Sequence, residues 1–280
     1  METVGEAYRR LREALAFSGE AEAEALRILH VTQGIAPGSL PLHRNRPCVK
    51  EEEIGRIIQK RKTGMPLAYA VGSKPFYGYE FTVTSDVLIP RYDSECVAQA
   101  AIRLAEKNGY ETALDLCCGS GALGIALLLE SCVKTVCFSD ISPAALEIAK
   151  ENARRLLPEE TYARCIFSCG DLLTPVEGIY DLNVCNPPYI SPEDYAGLDG
   201  QVRDFEPPAA LLAQRGGYEF YERLAREAGA YIRPGGALVL EIGDTQAERV
   251  QELLKNTGFV SIECGNDVAG RPRFLSAVRP

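Results

Sequence analysis

From about Thr112 onward, short apolar segments alternate with amphipathic stretches. No other feature constrains the fold as much. Strands are expected at Ala113–Leu116, Thr135–Ser139, Cys165–Ser168, Leu182–Cys185, Ala237–Ile242, Val260–Cys264 and Phe274–Val278. Helices are expected at Ala122–Leu129, Pro143–Leu156, Tyr218–Ile232 and Thr245–Thr257. A strand–helix repeat needs crossover connections, so these strands run parallel in a doubly wound α/β sheet. The last two strand segments have no helix between them, which predicts an antiparallel pair at one edge.

The chain before this point reads as helices. Thr3 to Phe17 places Ala7, Leu11, Ala14 and Leu15 on one stripe, and Glu20 to Thr32 does the same with Ala25, Leu26 and Leu29. Gly34, Pro37, Gly38 and Pro41 break the pattern. A third helix is expected from about Val49 to Lys62, with Ile54, Ile57 and Ile58 inward and Gly64 and Pro66 as its stop. Phe76 to Val83 suits a short hairpin turning at Tyr77-Gly78-Tyr79. The expected organisation is a helical domain over 1–75, a hairpin and linker helix over 76–110, and an α/β domain over 111–280.

Charge divides the same way. Residues 1–75 carry a net of +3 and the remainder −12. An acidic α/β half is a poor partner for a phosphate backbone, so no direct nucleic-acid contact is expected. No apolar run reaches the roughly 18 to 20 residues that span a bilayer, so no membrane association is expected. The first twenty residues lack the apolar centre of a signal peptide, so a cytoplasmic location is expected. The ten cysteines include no CxxC pair, and His30 and His43 lie far from them, so they read as free thiols and no metal site is expected.

Three motifs carry chemistry. Asp115-Leu116-Cys117-Cys118-Gly119-Ser120-Gly121 joins the first strand of the sheet to its helix, where glycines let a ligand approach the main chain. Asp140 ends the next strand, 19 residues after Gly121, where a carboxylate can accept two ribose hydroxyls. It could instead cap the helix starting at Pro143, although Ser142 already suits that role. Together these two features point to a nucleoside cofactor.

Asn186-Pro187-Pro188-Tyr189 follows the fourth strand and is the most specific signal. The Asn186 side-chain oxygen can accept one N–H of a planar amino or amide group, and the Pro187 carbonyl the other. Prolines bring no competing donor and hold φ fixed. Tyr189 offers a flat face for stacking. A planar nitrogen is a poor nucleophile because its lone pair is delocalised. As it attacks a sulfonium methyl carbon, positive charge develops on it, and two aimed carbonyl dipoles stabilise that charge. No side-chain general base is needed, because the methylated product cation is itself strongly acidic. The cofactor expected is S-adenosyl-L-methionine, leaving as S-adenosyl-L-homocysteine. The long polar stretch from Ser191 to Gly217 then reads as a substrate-covering loop.

With these residues in place, the chain resembles the release factor glutamine N5-methyltransferases. The likeness runs through Gly64-Met65-Pro66-Leu67-Ala68-Tyr69, Phe76-Tyr77, Leu88-Ile89-Pro90-Arg91 and Asp93-Ser94-Glu95. It continues through Glu206-Pro207, Pro234-Gly235-Gly236, Leu240-Glu241-Ile242-Gly243, Gln246, Asp267, Gly270 and Arg271. The resemblance implies a Rossmann-like class I methyltransferase sheet and a helical N-terminal domain that docks a peptide chain release factor. It implies as substrate the glutamine of that factor's Gly-Gly-Gln motif, and a monomeric enzyme is expected. By position, Cys117, Cys118, Gly119, Ser120, Gly121, Asp140, Ile141, Asp171 and Leu172 would contact the cofactor. Asn186 would touch both ligands, Pro187, Pro188 and Tyr189 the glutamine, and Ile89 the reacting groups; Asn186 and Pro187 would carry the catalysis. Three departures stand out. Cys117-Cys118 replaces a common Gly-Thr, and Tyr92 and Ser94 replace Pro and Thr. A Gly-Gly-x-Asp-Gly run survives only as Gln214-Arg215-Gly216-Gly217. Alternatives left open are a nucleic-acid amino methyltransferase, a methyltransferase of ribosomal protein glutamine, and a non-catalytic adaptor.

Overall fold

The structure, a computed structural model, describes residues 2–280. The described chain divides into two compact units, one holding residues 2–73 with 200–205, the other 74–199 with 206–280.

In the first unit, helices α1 (Val4–Ala14), α2 (Ala21–Gln33) and α3 (Glu51–Lys62) pack around Ala7, Leu11, Leu15, Ala25, Ile28, Leu29, Ile54, Ile57 and Ile58. Thr3 and Glu6 form a reciprocal capping box that starts α1. On α2 the buried stripe runs through Ala25, Ile28 and Leu29, and Leu26, expected inward, is half-buried beside it. A short helix over Leu67–Val71 follows, which the sequence pattern had not revealed. Arg61, only 3% exposed, is paired with Glu24 at 2.5 Å. It also donates to the Met65 carbonyl and, at 3.3 Å, to Gln201. The Phe205 ring covers Gly64, where an added Cβ would lie 3.6 Å from it. These contacts explain why residues 200–205 belong to this unit.

The second unit opens with a hairpin, β1 (Ser73–Phe76) and β2 (Tyr79–Thr82). Tyr77 and Gly78 form its two-residue turn with φ of 50° and 80°, both left-handed as such turns require. Then come α4 (Glu95–Asn108), β3 (Thr112–Leu116), α5 (Ala122–Glu130), β4 (Thr135–Asp140), α6 (Pro143–Leu156), β5 (Cys165–Cys169) and β6 (Tyr180–Cys185). The last elements are α7 (Glu219–Glu227), β7 (Ile232–Glu241), α8 (Ala247–Asn256), β8 (Val260–Asn266) and β9 (Pro272–Val278). The seven strands from β3 to β9 lie in the order β5-β4-β3-β6-β7-β9-β8. β3 to β7 are parallel, and β9 runs antiparallel to both β7 and β8, the expected edge arrangement.

Side chains alternate across this sheet with the period of two that a strand imposes. Ala113, Val136, Phe138, Val184 and Val239 join α4, α5 and α6 in one core. Leu114, Leu116, Cys137, Cys185 and Leu240 join α7 and α8 in another. The strand order reverses between β3 and its neighbours β4 and β6, so a crevice opens at their carboxyl ends, where ligands bind in open α/β sheets.

Two expectations need adjustment. The helix expected to Ile232 stops at Glu227, and β7 begins five residues before Ala237. Its register slips between Tyr180 and Leu182, and Gly235 at φ 78° takes up the extra length. The stretch from Ser191 to Gly217 is not a bare loop, because short helical turns occupy Pro192–Tyr195, Gly200–Arg203, Pro208–Ala210 and Gln214–Gly217.

Candidate active site

A cavity of about 180 Å³ opens at the switch point of the second unit. One wall is the turn after β3. Cys117 and Gly119 both sit at φ 53°, and Gly121 at φ 78°. A left-handed conformation costs a non-glycine residue roughly 1–2 kcal/mol, so Cys117 is a strained position. A Cβ on Gly119 would meet nothing within 4 Å, so this glycine serves the turn and leaves the main chain open. A Cβ on Gly121 would lie 3.2 Å from Ile125 and 3.3 Å from Ala149, so this one lets α5 and α6 close on each other.

Two carboxylates face this wall. Asp140 accepts the Gly119 amide and the Ser142 amide, each at 2.9 Å, and burial raises its pKa against the pull of those amides. Ser142, not Asp140, caps α6, through the Ala145 amide at 3.2 Å. Asp115 is fully buried, and burial pushes its pKa up to about 7 despite a 2.8 Å bond from the Gly124 amide. Its Oδ1 has no partner among the described residues. Gly124 is required there, since a Cβ would sit 2.5 Å from Phe138 and 2.9 Å from Asp115.

The opposite wall comes from the end of β6. Cys185 closes the strand, Asn186 is half-buried, and Pro187 and Pro188 are buried. The chain beyond is held from several directions. Ile190 exchanges backbone bonds with Leu211 and Ala213, both at 2.9 Å. The Tyr189 carbonyl accepts the Gln246 amide at 3.3 Å, and Gln246 is itself oriented by the Gly243 amide at 2.9 Å and the Tyr221 hydroxyl at 3.2 Å. Gly217 passes so close that a Cβ would lie 2.4 Å from the Tyr189 carbonyl oxygen. Glu206, 3% exposed, accepts the Ile89 amide at 3.3 Å and the Arg91 guanidinium at 2.5 Å.

Residues 98–198 match the methyltransferase small domain family. The chain is 36% identical over 271 residues to a release factor glutamine methyltransferase of Cereibacter sphaeroides, covering 96% of this chain and 95% of that one. The chain belongs to the release factor glutamine methyltransferase family. A Clostridium acetobutylicum member is 38% identical over 225 residues, covering 79% of this chain and 78% of that one. A solved methyltransferase structure from Pyrococcus furiosus shares the fold, with a TM-score of 0.54 at 19% identity, covering 82% of this chain and 98% of that one.

For a member of this family, the cavity lining can be set beside the sequence expectations. Cys117, Cys118, Gly119, Ser120, Asp140, Ile141, Asp171, Leu172, Asn186 and Pro188 line it together. Gly121, Pro187, Tyr189 and Ile89 do not. Gly121 packs between helices, Ile89 is 5% exposed between the lining residues Leu88 and Pro90, and Pro187 and Tyr189 flank Pro188. Sequence reasoning passed over Asp115, Arg91, Ser94, Pro207, Ala209, Ala210 and Phe220 as lining residues. A lone acid in the apolar segment before the glycine turn was a usable signal for Asp115. Phe220, just inside α7, had none. Among the described residues no group of three or more His, Cys, Asp or Glu side chains could hold a metal ion, and no helix is long and apolar enough to cross a membrane.

Proposed function

We propose that this chain transfers the methyl group of S-adenosyl-L-methionine to the side-chain amide nitrogen, N5, of the glutamine in the Gly-Gly-Gln motif of peptide chain release factors. The observation that carries the reading is that one cavity is lined by the Cys117–Ser120 turn, Asp140 and Asn186. Its chemistry suits this cofactor. Asp115 leaves a buried carboxylate oxygen unpartnered, and Asp140 keeps acceptor capacity beyond its two amides. A ligand bearing both positive charge and a ribose diol would relieve both. When bound, the cofactor supplies a methyl carbon activated by an adjacent sulfonium.

The protein's part is binding and orientation. Asp140 would accept the ribose hydroxyls, Ile141, 61% exposed at the cavity edge, would cover the base, and Asp115 would balance cationic charge. Asn186 Oδ1 and the Pro187 carbonyl accept the two amide N–H groups and stabilise the charge that develops on nitrogen. Tyr189, which flanks the lining residue Pro188, would stack on the amide plane of a bound glutamine, and Ile89 and Pro188 would exclude water. The proton then leaves the methylated nitrogen without a dedicated base. The helical unit, with its separate core and net positive charge, serves as the docking domain for the release factor. The enzyme acts as a monomer in the cytoplasm.

The test is labelled cofactor offered to release factor, to a Gln→Ala variant of its Gly-Gly-Gln loop, and to duplex DNA and RNA. One methyl group on intact release factor and none on the variant is expected. Label on nucleic acid, with none on release factor, would overturn the reading. Nucleic-acid binding would also weaken steeply with salt.

A further inference from the structure

Four polar residues have no part in the chemistry above: Asp93, Ser94, Glu241 and Asp267. The fold gathers them behind Tyr189. Glu241 ends β7 and is 1% exposed. Its Oε1 accepts the Tyr189 hydroxyl at 3.4 Å, and its Oε2 is buried without a partner among the described residues. Ser94, a cavity-lining residue, and Arg273 face the same carboxylate. The Ser94 hydroxyl and Arg273 Nε are likewise buried and unpartnered among the described residues. Arg273 is placed by the turn between β8 and β9. Asp267 accepts the Ala269 amide at 2.9 Å, the Arg271 amide at 3.0 Å and an Arg273 N–H at 3.2 Å, and Asp93 lies 3.4 Å from the same guanidinium.

This arrangement is expensive. Burial drives the Glu241 carboxyl up to about 7 although Ser94, Arg273 and Tyr189 all favour its ionised form. Buried polar groups in folded proteins are nearly always paired, and an apolar residue of similar volume would hold the end of this interior strand at least as well. Packing alone therefore does not account for it. The 3.4 Å contact to Tyr189 is long for an O–H···O bond. Such contacts tighten when a bound substrate presses on the ring.

We propose that Glu241 is a positioning residue for the acceptor: it anchors the Tyr189 ring through its hydroxyl, with Arg273 and Ser94 anchoring the carboxylate in turn. The inference rests on the proposed function, in which Tyr189 faces the glutamine amide. A ring fixed only by its Cβ can tilt, whereas one fixed also at the para oxygen holds its plane, and a misplacement of about 1 Å can cost on the order of a hundredfold in rate.

The test uses the full chain with Glu241→Ala, Glu241→Gln, Tyr189→Phe and the Tyr189→Phe/Glu241→Ala double variant. Cofactor affinity, kcat and KM for release factor, and the fluorine spectrum of fluorotyrosine-labelled protein are measured. Glu241→Ala should lower kcat at least tenfold, by roughly the misplacement argument, with cofactor affinity within about twofold. Glu241→Gln, which keeps an acceptor oxygen, should restore most of the rate. Tyr189→Phe should match Glu241→Ala, and the double variant should be no worse than either single one. The Tyr189 resonance, assigned by its loss in Tyr189→Phe, should move in Glu241→Ala. Additive losses, or no rescue by Gln with an unmoved resonance, would leave Glu241 a structural residue and overturn the inference. A wild-type enzyme inactive on release factor would overturn the functional reading instead; the fluorine resonance needs no substrate and still decides the positional one.

Discussion

The two walls of the cavity are built in opposite ways. The cofactor wall is local: Asp115, the turn at 117–121 and Asp140 lie within 26 residues, and Asp140 fixes the turn through the Gly119 amide. The acceptor wall is assembled from afar. The stretch from Asn186 to Tyr189 is held at Tyr189 by Gly217, Glu241 and Gln246, and the chain beyond it is tied to Ile89 and Arg91 through Glu206. A local wall survives damage elsewhere in the chain. On the proposed function, a distributed one should transmit such damage to the acceptor while leaving cofactor binding intact.

That contrast can be broken by experiment. The largest effect is expected at Asn186. Asn186→Ala removes one of two acceptors from the developing charge, costing on the order of 3 kcal/mol by analogy with a lost oxyanion donor, or more than a hundredfold in kcat. Single-turnover kinetics decide it; near-normal turnover would sink the acceptor role. Gly217→Ala comes next. It forces a Cβ against the Tyr189 carbonyl at a left-handed φ of 88°. Activity should fall at least tenfold, on the scale of a roughly 1 Å shift of the acceptor wall, while calorimetry shows cofactor affinity almost unchanged. If both fall together, the walls are not independent.

Asp140→Ala is the reciprocal case. It should weaken cofactor binding at least tenfold, through lost charge-assisted hydrogen bonds of about 1.5–3 kcal/mol each, and spare kcat at saturating cofactor. A pH series sharpens the same wall. Asp115, with its pKa pushed up to about 7, binds more protons in the folded protein than in the unfolded chain. The sign follows: folding stability from this group is greatest at low pH and is lost as pH rises toward 7. A cationic ligand favours the ionised carboxylate, so cofactor affinity should instead climb with pH up to about 7. Asp115→Asn should flatten that slope. Affinity is the better readout because Glu241 titrates in the same window.

The smallest effect concerns β6, the strand that leads into the wall at Asn186. Asn183 is 0% exposed, and both of its side-chain polar atoms lack partners among the described residues. Asn183→Leu removes that desolvation cost of about 1–3 kcal/mol and should raise the melting temperature by a few degrees. Activity should be unaffected, since Asn183 lines neither wall.

The same contrast explains what could be read from the sequence. The strands of the sheet and the turn at 117–121 announce themselves through nearby residues, with nearly continuous burial on both faces in β3, β4 and β6 and glycines beside an acid. Asp140 was legible because its distance from the turn is set by one helix and one strand. The helical turns between Ser191 and Gly217 were not legible. Each is three or four residues long, too short for an amphipathic period, and is held by partners far along the chain. The polar cluster behind Tyr189 was hidden for the same reason: Ser94, Glu241 and Arg273 meet only once β7 and β9 pair.

The membership of residues 200–205 in the helical unit has a consequence for the order in which the protein is made. A ribosome adds roughly 5–20 residues per second and releases the N-terminus first. The three helices emerge early, with Arg61 and Glu24 already able to pair. Their last partners, Gln201 and Phe205, are translated more than 120 residues later. The nascent unit therefore waits about six seconds or longer with Gly64 uncovered. The first unit begun is not the first completed: much of the parallel sheet has been synthesised before the helical unit receives its closing segment.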